Sequence, residues 1–189
     1  IRAFIAVSLP DHVKDDLIKI QKSLKKKGMA ASWPSPSTLH LTIKFLADIS
    51  ADQLDIVKSS MTETVSRFSK PVELRAAGVG VFPSVKNTRV IWTGISCATD
   101  ELQLLAAYLN DSLHEKAGIK KERKRFSPHL TVARVKKKPH PKMMVSLMQE
   151  FESYESDIFY IFELSLFKSR LTSSGAIHTN LFSVTLDGK

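Results

Sequence analysis

The sequence predicts an α+β fold made from one unit used twice, with two antiparallel-rich sheets facing a central cleft and helices on the outside. Three observations predict it. Apolar residues alternate between the two-residue period of strands and the period of about 3.6 of helices. The order strand, helix, strand, helix, strand occurs twice. Each pass carries His-Leu-Thr at an equivalent place, His40-Leu41-Thr42 and His129-Leu130-Thr131. Residues 1–189 are accordingly expected to form one bilobal domain, with repeat halves of approximately 1–87 and 88–189 packed about a pseudo-twofold axis.

In the first half, Arg2 to Val7 (RAFIAV) reads as a short strand. Pro10 and Asp11 open a helix whose apolar residues Val13, Leu17, Ile20 and Leu24 have helical spacing, and Gly28 ends it. After the connection SWPSPST, His40 to Leu46 alternates as a strand. Ser50 and Gln53 form a capping box before a helix with Leu54, Val57, Met61, Val65 and Phe68 on one side, and Val72 to Phe82 is a strand. Pro83 and the polar residues to Thr88 turn the chain into the second half. There Arg89 to Ile95 is a strand, and a helix from about Thr99 buries Leu102, Leu105, Leu109 and Leu113 before Gly118 closes it. A basic loop leads to a strand over His129 to Val135. A shorter helical stretch follows with Met144, Leu147, Met148 and Phe151, then strands around Phe159 to Ser169 and Ile177 to Leu186.

Composition narrows the function classes. With 43% hydrophobic and 25% charged residues the chain reads as an ordinary folded, soluble protein. No apolar run approaches the roughly 20 residues of a membrane span, and the opening IRAFIAVSLPDHVKDD lacks a secretory signal's apolar core, so the expected compartment is the cytoplasm. Cys97, the single cysteine, excludes an internal disulfide and a cysteine-based zinc site. The net charge of +9 favours polyanionic partners such as RNA, and it concentrates in Lys22 to Lys27, Lys120 to Arg125 and Lys136 to Lys142.

The two His-x-Thr elements carry the chemistry. Alternation along HLTIKFL puts His40, Thr42 and Lys44 on one face and Leu41, Ile43 and Phe45 on the other. In HLTV, His129 and Thr131 share a face while Leu130 and Val132 point to the core. One such element is weak evidence, since a strand histidine beside a threonine is commonplace. Two in register within a repeat would face one another across the cleft. Paired imidazoles suit a cyclic phosphodiester: one, neutral, takes a proton from water and the other, charged, gives a proton to the leaving oxygen. Thr42, Thr131 and a cation, Arg134 or Lys44, would stabilise the non-bridging oxygens. Neither metal, cofactor nor covalent intermediate is required, and no third ligand stands at metal spacing in either motif. His12 and His114 are expected on helix surfaces and His140 in the basic, proline-containing stretch. His178 is expected at an ordinary strand position that could line the groove.

At HLTIKFLADIS and SPHLTVARVK the chain resembles the two-histidine phosphoesterases, and within them the RNA 2′,3′-cyclic phosphodiesterases, also called 2′-5′ RNA ligases. The resemblance extends to the opening RAFIAV, the pair VGVFP and RVIWTGI, and the closing LFKSRLTSSG. It implies metal-independent hydrolysis of a 2′,3′-cyclic phosphate on RNA or a nucleotide to a 2′-phosphomonoester, with 2′-5′ joining as the related transfer. It assigns His40 as general acid toward the 3′-oxygen and His129 as general base toward water. Arg134 resembles the family's phosphate-binding arginine, although alternation sets it opposite His129 unless a bulge follows Thr131. Ala47 stands where relatives commonly have glycine, and SWPSPST lacks a charged residue expected there. Phe45, Trp33 and Trp92 offer aromatic faces for a base, against the plainer role of core packing, and Phe45 joins the substrate-binding candidates.

A non-catalytic module that holds a nucleotide or RNA end in the same cleft is the competing reading, and a general basic RNA-binding protein a third. Two proton-transfer groups argue against the module, and the basic RNA-binding protein explains the charge but leaves the duplicated motifs unexplained. Because the duplication supplies a whole cleft within one chain, a monomer is expected.

Overall fold

The computed structural model describes residues 1–172 and 175–186. Ser173 and Ser174 of the LFKSRLTSSG stretch lie outside the described residues. Strand β1 (Arg2–Ser8) leads into helix α1 (Asp11–Lys26). Val13, Leu17, Ile20 and Leu24 are all buried on one stripe of that helix, while Lys25 and Lys26 in its last turn complement the helix dipole. Burial of each such aliphatic side chain stabilises the fold by roughly 1.5–3 kcal/mol relative to leaving it exposed. The connection to the next strand holds a two-residue strand, β2 (Ala31–Ser32), which the sequence pattern does not signal, and a single 3₁₀ turn at Pro36–Thr38.

Strand β3 (His40–Asp48) precedes helix α2 (Ala51–Val65), which starts at the expected capping box. The Ser50 hydroxyl accepts from the Gln53 N–H, and the Gln53 side chain accepts from the Ser50 N–H. Strands β4 (Val72–Phe82) and β5 (Val90–Cys97) follow, then helix α3 (Glu101–Ala117). Gly118 ends α3 with φ of 64°, a left-handed conformation that glycine adopts without penalty. Strand β6 (His129–Val135) leads to helix α4 (Pro141–Glu150), where the His140 side chain caps the first turn by accepting from the Lys142 N–H. The chain closes with β7 (Phe159–Ile161), β8 (Glu163–Thr172) and β9 (Gly175–Thr185).

The α+β class holds, but the expectation of two sheets is corrected. One nine-stranded antiparallel sheet runs β7-β4-β5-β6-β3-β1-β8-β9, with β2 added against β6. Its two wings join where Leu41 of β3 pairs with Leu130 of β6. The strands are also exchanged between the sequence halves. β4 pairs with β5 and β7, and β8 pairs with β1. The stretch read as one strand from Phe159 to Ser169 is two strands on opposite wings, divided at Phe162. Three consecutive Cα atoms span less than about 8 Å, so β7 and the start of β8, far apart in strand order, lie close in space. The sheet therefore curls into a half-barrel. Helices pack on one face, α1 against β6, α3 against β3 and α4 against β4, with α2 beside α3.

Candidate active site

Each motif histidine begins a strand, where the preceding backbone can reach its ring. The Nδ1 of His40 lies 2.7 Å from the carbonyl of Thr38, and the Nδ1 of His129 lies 2.9 Å from the carbonyl of Ser127. A carbonyl only accepts, so Nδ1 carries the hydrogen in both rings and Nε2 is left to gain or lose a proton. The antiparallel register through Leu41 and Leu130 runs His40 toward Thr131 and Thr42 toward His129. All four side chains line one cavity of about 1800 Å³.

Both strands break their alternation just after the threonine. In β6, Trp92 pairs with Thr131 but Ile91 pairs with Ala133, so Val132 is an extra residue, and Val132 and Ala133 are both buried. This is the bulge that Arg134 needs: it returns the guanidinium to the face of His129 and Thr131, where it lines the cavity. In β3 the pairs Ala6–Thr42 and Ile5–Lys44 skip Ile43, and Ile43 and Lys44 are buried in succession. The two bulges put Phe45 of the first motif in the place that Arg134 takes in the second.

Burial pushes His40 down to about 4, opposed by the Thr38 carbonyl and reinforced by repulsion from His178, once protonated, and from Arg134. At neutral pH its free ring is uncharged. Among the described residues no three His, Cys, Asp or Glu side chains are grouped as a metal-ligand set would be.

The LigT-like phosphoesterase family model matches this chain twice, over residues 7–92 and 95–178. The chain belongs to that family. It is 32% identical to the RNA 2′,3′-cyclic phosphodiesterase of Methanothermobacter thermautotrophicus, covering 96% of each chain. With the enzyme of that name from Aquifex aeolicus it shares 30% identity, over 100% of this chain and 98% of the relative. Among solved structures it superposes on the Thermus thermophilus protein TT0787 with a TM-score of 0.80 and 25% identity, each chain covered in full. The E. coli LigT complex with 3′-AMP gives a TM-score of 0.74 at 19% identity, 97% of each chain being covered.

In this LigT-like phosphoesterase two candidates stand elsewhere than alternation puts them. Lys44 is only 4% exposed, and its Nζ donates to the Asn110 side chain, the Lys120 carbonyl and Glu122. It still lines the cavity, and the bulge at Ile43 buries it beside Ile43. It ties down the start of the basic loop that rims the cavity. Phe45, expected to face the core, is 62% exposed at the cavity, with its ring 6.1 Å from that of Phe4.

The aromatic neighbours differ between the halves. His40 stacks on Phe4 at 4.8 Å, whereas His129 meets Phe82 edge-on at 5.1 Å and Trp92 at 6.4 Å. Trp92 supports His129, and Trp33 lines the cavity with the Lys25 ammonium 5.1 Å from its ring centre. His178, expected at an ordinary strand position that could line the groove, lines the cavity. Its ring lies 5.4 Å from that of His40, and the strand exchange that brings β9 to β1 through β8 has no local signature. No described helix is long and apolar enough to cross a membrane.

Proposed function

We propose that this protein hydrolyses 2′,3′-cyclic phosphate on RNA ends or nucleotides to the 2′-phosphomonoester, with His40 as general acid and His129 as general base. The observation that carries the reading is the pair of imidazoles leashed alike through Nδ1 to main-chain carbonyls, their Nε2 atoms free, in one cavity. Near-full-length relatives named RNA 2′,3′-cyclic phosphodiesterase support the substrate.

Water attacks phosphorus in line with the 3′-oxygen while His129 Nε2 takes its proton. The bond from phosphorus to the 3′-oxygen breaks, that to the 2′-oxygen stays, and His40 Nε2–H protonates the leaving oxygen. Thr42, Thr131 and Arg134 hold the non-bridging oxygens, and Phe45 stacks on the base. His40 is neutral in the free protein, so it takes up its proton as the anionic phosphate arrives and favours the charged ring. Exchange with solvent then resets both histidines. A 5′-hydroxyl in place of water would give 2′-5′ joining. We further infer that the two repeats form one bilobal, pseudo-twofold domain active as a monomer without metal or cofactor.

The test incubates the protein, with EDTA present, with a short RNA ending in 2′,3′-cyclic phosphate and with nucleoside 2′,3′-cyclic phosphates. His40→Ala and His129→Ala run alongside. Conversion to the 2′-phosphate by the parent, with both variants folded and silent, is expected. Tight binding without turnover would make the protein a recognition module, and activity surviving either substitution would overturn the mechanism.

A further inference from the structure

One titratable side chain of the cavity has no task in this reaction. His178 lies on β9, paired with Ser169 of β8, and it lines the cavity with His40. Its ring stands nearly perpendicular to two others, at 5.4 Å and 87° to His40 and at 4.9 Å and 78° to Phe4. Phe4 and His40 are themselves stacked, so the three rings form one cluster.

The nitrogens of His178 are not equivalent. Nδ1 is sealed from solvent and has no hydrogen-bond partner among the described residues. A buried N–H without an acceptor is rarer in folded proteins than a bare acceptor, so the hydrogen of the neutral ring rides on Nε2. Nε2 is then the nitrogen available for a polar contact. Burial also lowers the proton affinity of this ring, which keeps it an uncharged donor at neutral pH. An uncharged donor suits the position, because a second positive charge here would oppose protonation of His40.

Position narrows what the donor can meet. β6, with His129 and Arg134, flanks β3 on one side, whereas β9 reaches His40 from the other side by way of β1 and β8. In the proposed reaction water is activated at His129 and the 3′-oxygen departs toward His40. A substrate group within reach of both His40 and His178 therefore belongs to the ribose.

We propose that His178 is a third imidazole of the active site, donating its Nε2–H to a ribose oxygen beside the one that His40 protonates. This assignment rests on the two-histidine reading. It makes the His40 end of the cavity selective for a sugar phosphate over a phosphodiester without one.

The experiment compares His178→Phe, which keeps a planar ring against Phe4, with His178→Gln, whose amide nitrogen falls near the position of Nε2. With adenosine 2′,3′-cyclic phosphate, His178→Phe is expected to lower kcat/KM about tenfold, the effect of one hydrogen bond. His178→Gln should recover most of that loss, and both variants should melt with the parent. Phe and parent equal in activity would overturn the proposal, as would Phe and Gln impaired alike, since either marks His178 as packing only. Failure of the parent itself to turn over would overturn the hydrolase reading instead. Calorimetric titration with adenosine 2′-monophosphate then decides the donor: binding about tenfold weaker in His178→Phe supports it, and unchanged binding refutes it.

Discussion

Lowering the pH should destabilise this protein through His40. In the unfolded chain its imidazole titrates near its ordinary 6.5, whereas burial holds it at about 4 in the fold. As pH falls below 6.5 the unfolded state binds the proton first, so stability is full above that value, declines through the window and levels off below about 4. At pH 5 the unfolded ring is nearly all protonated and the folded ring nearly all neutral, which amounts to about 2 kcal/mol of lost stability. For a chain of this size that is a fall of roughly 4–8 °C in melting temperature. His40→Asn has no titrating ring and keeps an amide able to donate to the Thr38 carbonyl. Thermal melts of the two proteins from pH 7.5 to 5 give the answer, because the carboxylates and His178 titrate in both and cancel in the difference. The parent should lose about 2 kcal/mol more than the variant across that range. Parallel curves would refute the claim that His40 is held neutral by burial, and with it the requirement for proton uptake on substrate binding.

Arg134→Ala should lower kcat/KM by roughly 10–100-fold, the worth of a charged hydrogen bond to phosphate, with partial recovery in Arg134→Lys, read in steady-state assays. A Cβ on Gly80 would come within 2.2 Å of the Trp92 ring. Gly80→Ala should therefore cost about 1–3 kcal/mol by denaturant titration, and displacement of Trp92 from beside His129 should slow turnover. Ala47 carries a φ of 61°, a left-handed conformation that a Cβ disfavours. Ala47→Gly relieves it at some cost in unfolded-chain entropy, so melting should show a gain of up to about 1 kcal/mol.

Period and capping made the helices readable: the Ser50–Gln53 box, the Leu102 to Leu113 stripe and the Gly118 stop each rest on interactions within a turn or two of chain. The repeated His-Leu-Thr was readable for the same reason. Strand partners were not, because pairing is decided by residues distant in sequence. Nothing in VELRAAGVGVF says that β4 pairs with β5 and β7, and nothing around Phe162 says that a continuous apolar run divides between two wings. The bulges mark the boundary between the two kinds of information. Alternation with no skipped residue puts Lys44 on the motif's face and Phe45 in the core, and one extra residue at Ile43 leaves Lys44 buried and Phe45 exposed. For Arg134 the same device was inferable only because an arginine on the wrong face had to be reconciled with the family's pattern.

The duplicated scaffold also explains how like parts can hold unlike roles. Matched leashes to Thr38 and Ser127 present two similar Nε2 atoms, which alone would give no direction to the reaction. Direction comes from what the repeat does not copy. After equivalent bulges one motif presents Arg134 to the cavity and the other Phe45, a charge where its counterpart has an aromatic face. His40 is stacked on Phe4 and held neutral by burial, while His129 meets Phe82 and Trp92 in T-shaped contacts. In the proposed reaction a phosphate held by Arg134 and a base laid on Phe45 would fix one orientation of the substrate. In the proposed reaction that orientation would send the leaving oxygen to His40. Exchanging the residues that follow the bulges should therefore disturb the reaction's direction more than its scaffold, because the leashes precede each bulge and both Phe45 and Arg134 are exposed.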